Sequence, residues 1–168
     1  MSELTLKAVP ITPERFAPYG DLIYASPGSR NVMNDARFER FSGLADIDVD
    51  TKSGGAASIS IARCKVPMTL PYRFDLVERH PLGSQAFMPL SRFSFFVVVA
   101  PPGESVEREE LCAFVTNGNQ GVNYHKGVWH MPMIAFEEGQ EFLIVDRGGD
   151  GENCEQHYFS DPVVLLAG

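Results

Sequence analysis

Short apolar runs broken by turn-forming residues recur from one end of this chain to the other, and no stretch sustains the apolar spacing of an amphipathic helix. The punctuation is dense: 15 glycines and 12 prolines are spread through 168 residues rather than gathered in one linker. Such a chain builds an all-β sandwich or barrel. Residues 57–64 alternate small or polar with apolar side chains, as a half-buried strand does. Residues 93–100 are aromatic and β-branched almost throughout, which predicts a strand covered on both faces. Residues 74–80, 86–90, 111–115, 128–136 and 141–146 read as further strands, and 156–159 with 163–166 close the sheet. A short helix is expected where Thr12 can cap a turn that begins at Pro13. Residues 25–56 are polar and Gly-rich. They read as loop, with some part pairing at a sheet edge or covering a barrel mouth. The acidic run from Asp46 to Asp50 reads as a solvated surface.

Length fits one domain, residues 1–168, with a core large enough to need no staples. A net charge of −8, with no basic cluster to relieve it, argues against a nucleic-acid partner. No apolar run reaches membrane-spanning length, and the N-terminal residues lack the pattern of an export signal. Cys64, Cys112 and Cys154 are far apart and odd in number, which argues against a disulfide framework. A reducing cytoplasm is the expected location.

Two segments concentrate chemistry. The first is Glu78-x-His80-x₄-Gln85, which runs directly into the apolar Phe87-Met88-Pro89-Leu90. The second is His125-Lys126-Gly127-Val128-Trp129-His130. Alternate residues of a strand share a face, so Glu78 and His80 point the same way, and Gln85 can face back across the same pocket after a turn. His130 would arrive from a distant strand. Two imidazoles, a carboxylate and an amide oxygen make a weak divalent-metal set, Glu78, His80, Gln85 and His130, suited to nickel, manganese, iron or zinc. Tyr124 and Trp129 read either as core aromatics or as a pocket wall. His157 reads as structural or surface, Asp146-Arg147 as an ion pair at a strand end, and Cys154 as an inert small hydrophobe.

Set side by side, the two segments resemble the halves of a cupin site. That superfamily's first motif is His-x-His, three or four residues, then Glu; its second is Pro-x-Gly-x-x-His. His80 and His130 fall on its imidazoles and Gly127 on its glycine. Glu78, Gln85 and His125 depart from it. The run from Glu78 to Leu90 also resembles the signature of the ureidoglycolate lyases, a family also called ureidoglycolate hydrolases. So do Asn123-Tyr124-His125-Lys126-Gly127-Val128-Trp129-His130, Val145-Asp146-Arg147-Gly148-Gly149 with Asn153-Cys154, and Phe16-Ala17-Pro18-Tyr19-Gly20-Asp21-Leu22-Ile23.

The resemblance implies a cupin-like double-stranded β-barrel of two packed antiparallel sheets with one or two short helices. It implies a homodimer that splits (S)-ureidoglycolate into glyoxylate and urea in allantoin breakdown, with nickel as cofactor. Collapse of that hemiaminal needs a base at the hydroxyl and an acid at the departing nitrogen. His80, His130, Glu78 and Gln85 would surround the metal or the substrate oxygens, with His125 or Glu78 moving the proton. Lys126, Arg63 or Arg79 would hold the carboxylate, and Tyr124 and Asn123 the ureido end. Three alternatives stand beside this: another small-acid cupin enzyme (an isomerase or dioxygenase), a binding barrel without turnover, and a hydrolase that releases ammonia.

Overall fold

In the computed structural model, which describes residues 3–168, the alternation read from the sequence becomes two large sheets. The strands in chain order are β1 (Leu4–Lys7), β2 (Val9–Pro10), β3 (Gly20–Ile23), β4 (Arg30–Met33), β5 (Phe38–Phe41), β6 (Ala56–Arg63), β7 (Tyr72–Arg79), β8 (Gln85–Pro89), β9 (Phe96–Ala100), β10 (Cys112–Val115), β11 (Gly121–Tyr124), β12 (Trp129–His130), β13 (Glu141–Gly148) and β14 (Glu155–Leu166). The short helix α1 (Pro13–Phe16) starts as expected: the Thr12 hydroxyl accepts from the Arg15 backbone N–H, with Pro13 in the first turn. No helix among the described residues is long and apolar enough to cross a membrane.

Seven strands form one sheet in the order β1-β14-β7-β12-β9-β10-β2. Its pairings are antiparallel except at the two edges, where β1 runs parallel to β14 and β2 parallel to β10. Because β1 and β2 are consecutive, Ala8 alone joins the two edges, and the sheet curls nearly closed on itself. Ala8 is buried in the core it encloses, with Phe74, Val77, Val98, Trp129 and Leu165. The five-stranded sheet, β3-β11-β8-β13-β6, packs on the other face of the first. Phe87, Val122, Tyr124 and Phe142 from the five strands meet Val97, Val99 and Phe114 from the seven in a second core. The fully buried character predicted for the ninth strand follows from this, since β9 serves both cores.

Two sequence expectations are revised. The stretch 25–56 holds a hairpin, β4 with β5, whose strands pair with each other and not with either main sheet. Residues 44–50 then strap the outer face of the five-stranded sheet. Their backbone is tied by Asp46 N–H to Asp21, by Asn123 to the Asp46 carbonyl, and by paired bonds between Asp48 and Ser84. The strand expected over 128–136 is only Trp129–His130. Pro132 has no N–H for a ladder, and the Met131 N–H makes the last bond, to Val98.

Candidate active site

The barrel end where β7, β8, β11, β12 and β13 meet gathers polar side chains between the two sheets. On the seven-stranded side, Glu78 and His130 are direct cross-strand partners, so both side chains leave the same face. On the five-stranded side, Gln85 lies directly opposite Tyr124 on one neighbour and Asp146 on the other. His80 follows β7 and spans the gap. Its Nε2 lies 2.9 Å from Gln85 Oε1 and its Nδ1 2.6 Å from the Asn153 carbonyl. Asn153 also accepts from the Leu82 N–H through its side chain, which fixes the turn after His80.

Backbone chemistry explains the glycines of both motifs. Gly127 has φ +79, and its N–H donates to the His80 carbonyl. The turn that leads into His130 is thereby hung on the residue that His130 must meet. At Gly83 a Cβ would lie 2.7 Å from the Asp48 carbonyl, so the strap could not approach Ser84 with a larger residue there.

His130 is almost wholly buried, stacked on Tyr124 with ring centroids 4.3 Å apart and planes within 9°. Its Nδ1 lies 3.2 Å from the Val128 carbonyl and therefore carries the proton in the neutral ring. Its Nε2 then presents a lone pair to Glu78 Oε1, 3.6 Å away, and makes no hydrogen bond. Burial pushes the His130 imidazole below its usual range, outweighing the nearby Glu78 carboxylate. When protonated, the His130 imidazole beside it holds Glu78 below the usual carboxyl range, against the opposing effect of burial. The Tyr124 phenol is pushed far up by burial and next by Glu78, and stays protonated.

His80 poses the same problem. With Nδ1–H donated to Asn153, its Nε2 lone pair faces the Gln85 amide oxygen. Ligand atoms of Glu78, His80 and His130 lie within 4.8 Å of one another. Acceptors that converge in a partly buried space repel unless a proton or a cation joins them. A divalent ion fits this set: two imidazole nitrogens backed by carbonyls, one carboxylate and one amide oxygen.

The other residues singled out from the sequence lie elsewhere. Asn123 neighbours Tyr124 on β11, and alternation turns it to the outer face, where its amide donates to Asp21 and to the Asp46 carbonyl. His125 joins it there, with Nε2 3.1 Å from Asp21. Lys126 sits 3.5 Å from Asp48 and lines a surface depression with the strap residues Ile47 and Val49, not with the imidazoles. Arg63 pairs with Glu141 at the other end of the five-stranded sheet, where it lines a separate apolar cavity of about 240 Å³ with Cys64 and Met133. Five residue steps along β13 take the strand from Glu141 to Asp146, roughly 17 Å. Arg79 faces away from Glu78, over the Trp129 ring and bonded to Glu155. Arg63, Asn123 and His125 are thus not brought to the imidazole pair.

Two residues were missed. Asp146 and Arg147 do not form an ion pair, because neighbours on a strand face opposite ways: Asp146 accepts from the Gln85 amide, and Arg147 points out to the Ser53 carbonyl. Cys154 is exposed rather than packed, with its sulfur 3.6 Å from Glu78. The alternation set by Gln85 facing inward could have identified Asp146, given the strand pairing.

Comparison with known proteins places this geometry. The ureidoglycolate lyase family profile matches residues 3–166. The chain belongs to the ureidoglycolate lyase family. A ureidoglycolate lyase of Pseudomonas syringae pv. syringae is 45% identical over 157 residues, covering 94% of this chain and 91% of that protein. Those of Pseudomonas aeruginosa LESB58 and Pseudomonas fluorescens Pf0-1 are each 44% identical over 162 residues, covering 96% of this chain and 95% and 96% of theirs. Within a ureidoglycolate lyase fold, the Glu78, His80, Gln85, Tyr124 and His130 cluster lies at the place where the two motif segments meet.

Proposed function

We propose that this chain cleaves (S)-ureidoglycolate to glyoxylate and urea, a step in allantoin degradation, at the Glu78–His80–Gln85–His130 centre. The observation that carries the reading is the buried His130 Nε2, which has no hydrogen-bond partner and faces Glu78 beside His80. Those four residues would hold a divalent ion, with nickel as the ion suggested by the resemblance. Bound there, it would supply a positive charge for the substrate's carboxylate and hydroxyl oxygens and make the hydroxyl more acidic. Such a charge is needed, because Glu78 and Asp146 are anionic and Arg79 and Arg147 turn away.

The chain's own groups then move one proton. Glu78 takes it from the C2 hydroxyl as the C–O bond becomes a carbonyl. It returns the proton to the urea nitrogen as the C–N bond breaks, so one carboxylate serves as base and then acid. Tyr124 holds His130 in plane by stacking. Lys126, exposed beside the strap, would add to the field that draws the anionic substrate in.

We also propose a homodimer in a reducing cytoplasm. Ile59 and Ile61, 71% and 60% exposed, stand on the outer face of β6, an edge strand. A second copy would cover them. The unpaired cysteines fit that compartment.

The test is to incubate purified protein with racemic ureidoglycolate, with and without chelator, and assay urea and ammonia separately. Urea without ammonia, lost on chelation and restored by nickel, is expected. Ammonia as the nitrogen product overturns the lyase reading, and full activity after exhaustive chelation overturns the metal. Light scattering on the parent and on Ile59→Lys tests the dimer; a monomeric parent overturns it.

A further inference from the structure

We infer that Asp146 is a positioning residue for Gln85: its carboxylate selects the amide orientation that turns the Gln85 carbonyl oxygen, rather than its NH2, toward the site centre. The inference rests on the metal reading above and goes beyond it to a residue outside the ligand set.

A glutamine amide has nearly the same shape either way round, so only its partners decide which end faces where. The β13–β8 register sets Asp146 directly opposite Gln85. Gln85 Nε2 lies 3.1 Å from Asp146 Oδ2, and Gln85 Oε1 lies 2.9 Å from His80 Nε2. A carboxylate only accepts, so it holds the NH2 end. The reversed amide would set a carbonyl against the carboxylate and present two N–H donors to the centre. Those donors would oppose a cation among Glu78, His80 and His130. Arg147 cannot neutralise Asp146 locally, because it leaves the opposite face of β13 toward Ser53. Asp146 therefore turns a neutral residue of ambiguous polarity into a fixed oxygen donor.

The test titrates metal-free protein with nickel and with cobalt by calorimetry, and follows the visible absorption of the cobalt form. Asp146→Asn keeps the shape but can accept or donate, so Gln85 loses its preference. The expected result is nickel affinity lower by about 10- to 100-fold, the size typical of lost outer-shell partners. The decisive arm repeats the change in a Gln85→Glu background. There both oxygens of residue 85 accept, orientation no longer matters, and Asp146 merely repels a second carboxylate. In that background Asp146→Asn should change nickel binding far less than it does in the parent. A purely structural role would weaken it by the same factor in both backgrounds. Asp146→Ser, which also lacks the fixed acceptor, carries the same comparison if Asp146→Asn does not fold. A parent that binds nickel, with Asp146→Asn within twofold of it, overturns this inference alone. A parent that binds neither ion overturns the metal reading and the inference together.

Discussion

Glu78 and His130 are direct partners across the β7–β12 ladder, with 3.6 Å between the carboxylate oxygen and the buried imidazole nitrogen. That distance permits attraction but exceeds a hydrogen bond. The pair is therefore poised to be joined by a third body. His130→Ala should lower urea release by at least about 100-fold, the scale of losing a group that acts at the reacting centre. It should also remove measurable nickel binding. Urea assay and calorimetry check both, and activity within a few-fold of the parent would rule out the proposed centre.

Glu78→Gln keeps the side-chain shape and removes the proton acceptor. Turnover should fall by about 100- to 10,000-fold. Because Glu78 also belongs to the proposed ligand set, nickel binding should weaken too, so substrate binding is read by calorimetry at saturating nickel, where it should change far less. A loss confined to binding would assign Glu78 to holding the substrate instead.

Acid should destabilise the metal-free protein in two stages. The folded His130 imidazole lies below its usual range, so protonation favours the unfolded chain. Its contribution is whole above the unfolded value of about 6.5 and is lost as pH falls from there toward the folded value. Glu78 is likewise depressed, so its contribution is present above the ordinary carboxyl range and lost as pH falls through its folded value. Melting temperatures of the chelated protein should decline below about pH 6.5 and again at lower pH. In His130→Asn the first decline should flatten, and in Glu78→Gln the second.

Arg79 and Arg63 should behave in opposite ways. The Arg79 guanidinium is buried, bonded to Glu155 and the Gly103 carbonyl, and set 5.1 Å over Trp129. Arg79→Ala removes the guanidinium packed on Trp129 and its bond to the half-exposed Glu155, while the Gly103 carbonyl keeps the Trp129 indole N–H, so it should cost about 1–3 kcal/mol, read by denaturant unfolding. Arg63 makes a solvated pair with Glu141, so Arg63→Ala should change stability by less than about 1 kcal/mol and leave turnover unchanged. A large turnover loss in Arg63→Ala would return it to the substrate.

The all-β class and most strands were legible because half-buried strands alternate and glycine or proline breaks them. The pairing of Glu78, His80, Gln85 and His130 was legible in motif spacing. What spacing could not give was facing. Asn123 and Tyr124 are adjacent in the second motif, yet only Tyr124 enters the site, because successive β-residues diverge. The same rule separates Glu78 from Arg79 and Asp146 from Arg147. Polar content hid the β4–β5 hairpin, whose strands are exposed and carry no core-facing alternation. Nothing local marks β1 as a sheet edge, since its partner strand stands at the other end of the chain.

That pairing governs when the structure can exist. Leu4 to Lys7 lie against Val163 to Leu166, and only Ala8 separates this edge from the one β2 closes. During synthesis the first strand must wait for the last. Until β14 is in place, the curled sheet has two open edges and its inner core faces water. The barrel is in that sense latched by its most distant pairing, and any chain in which β14 is missing would present the surfaces that chaperones hold.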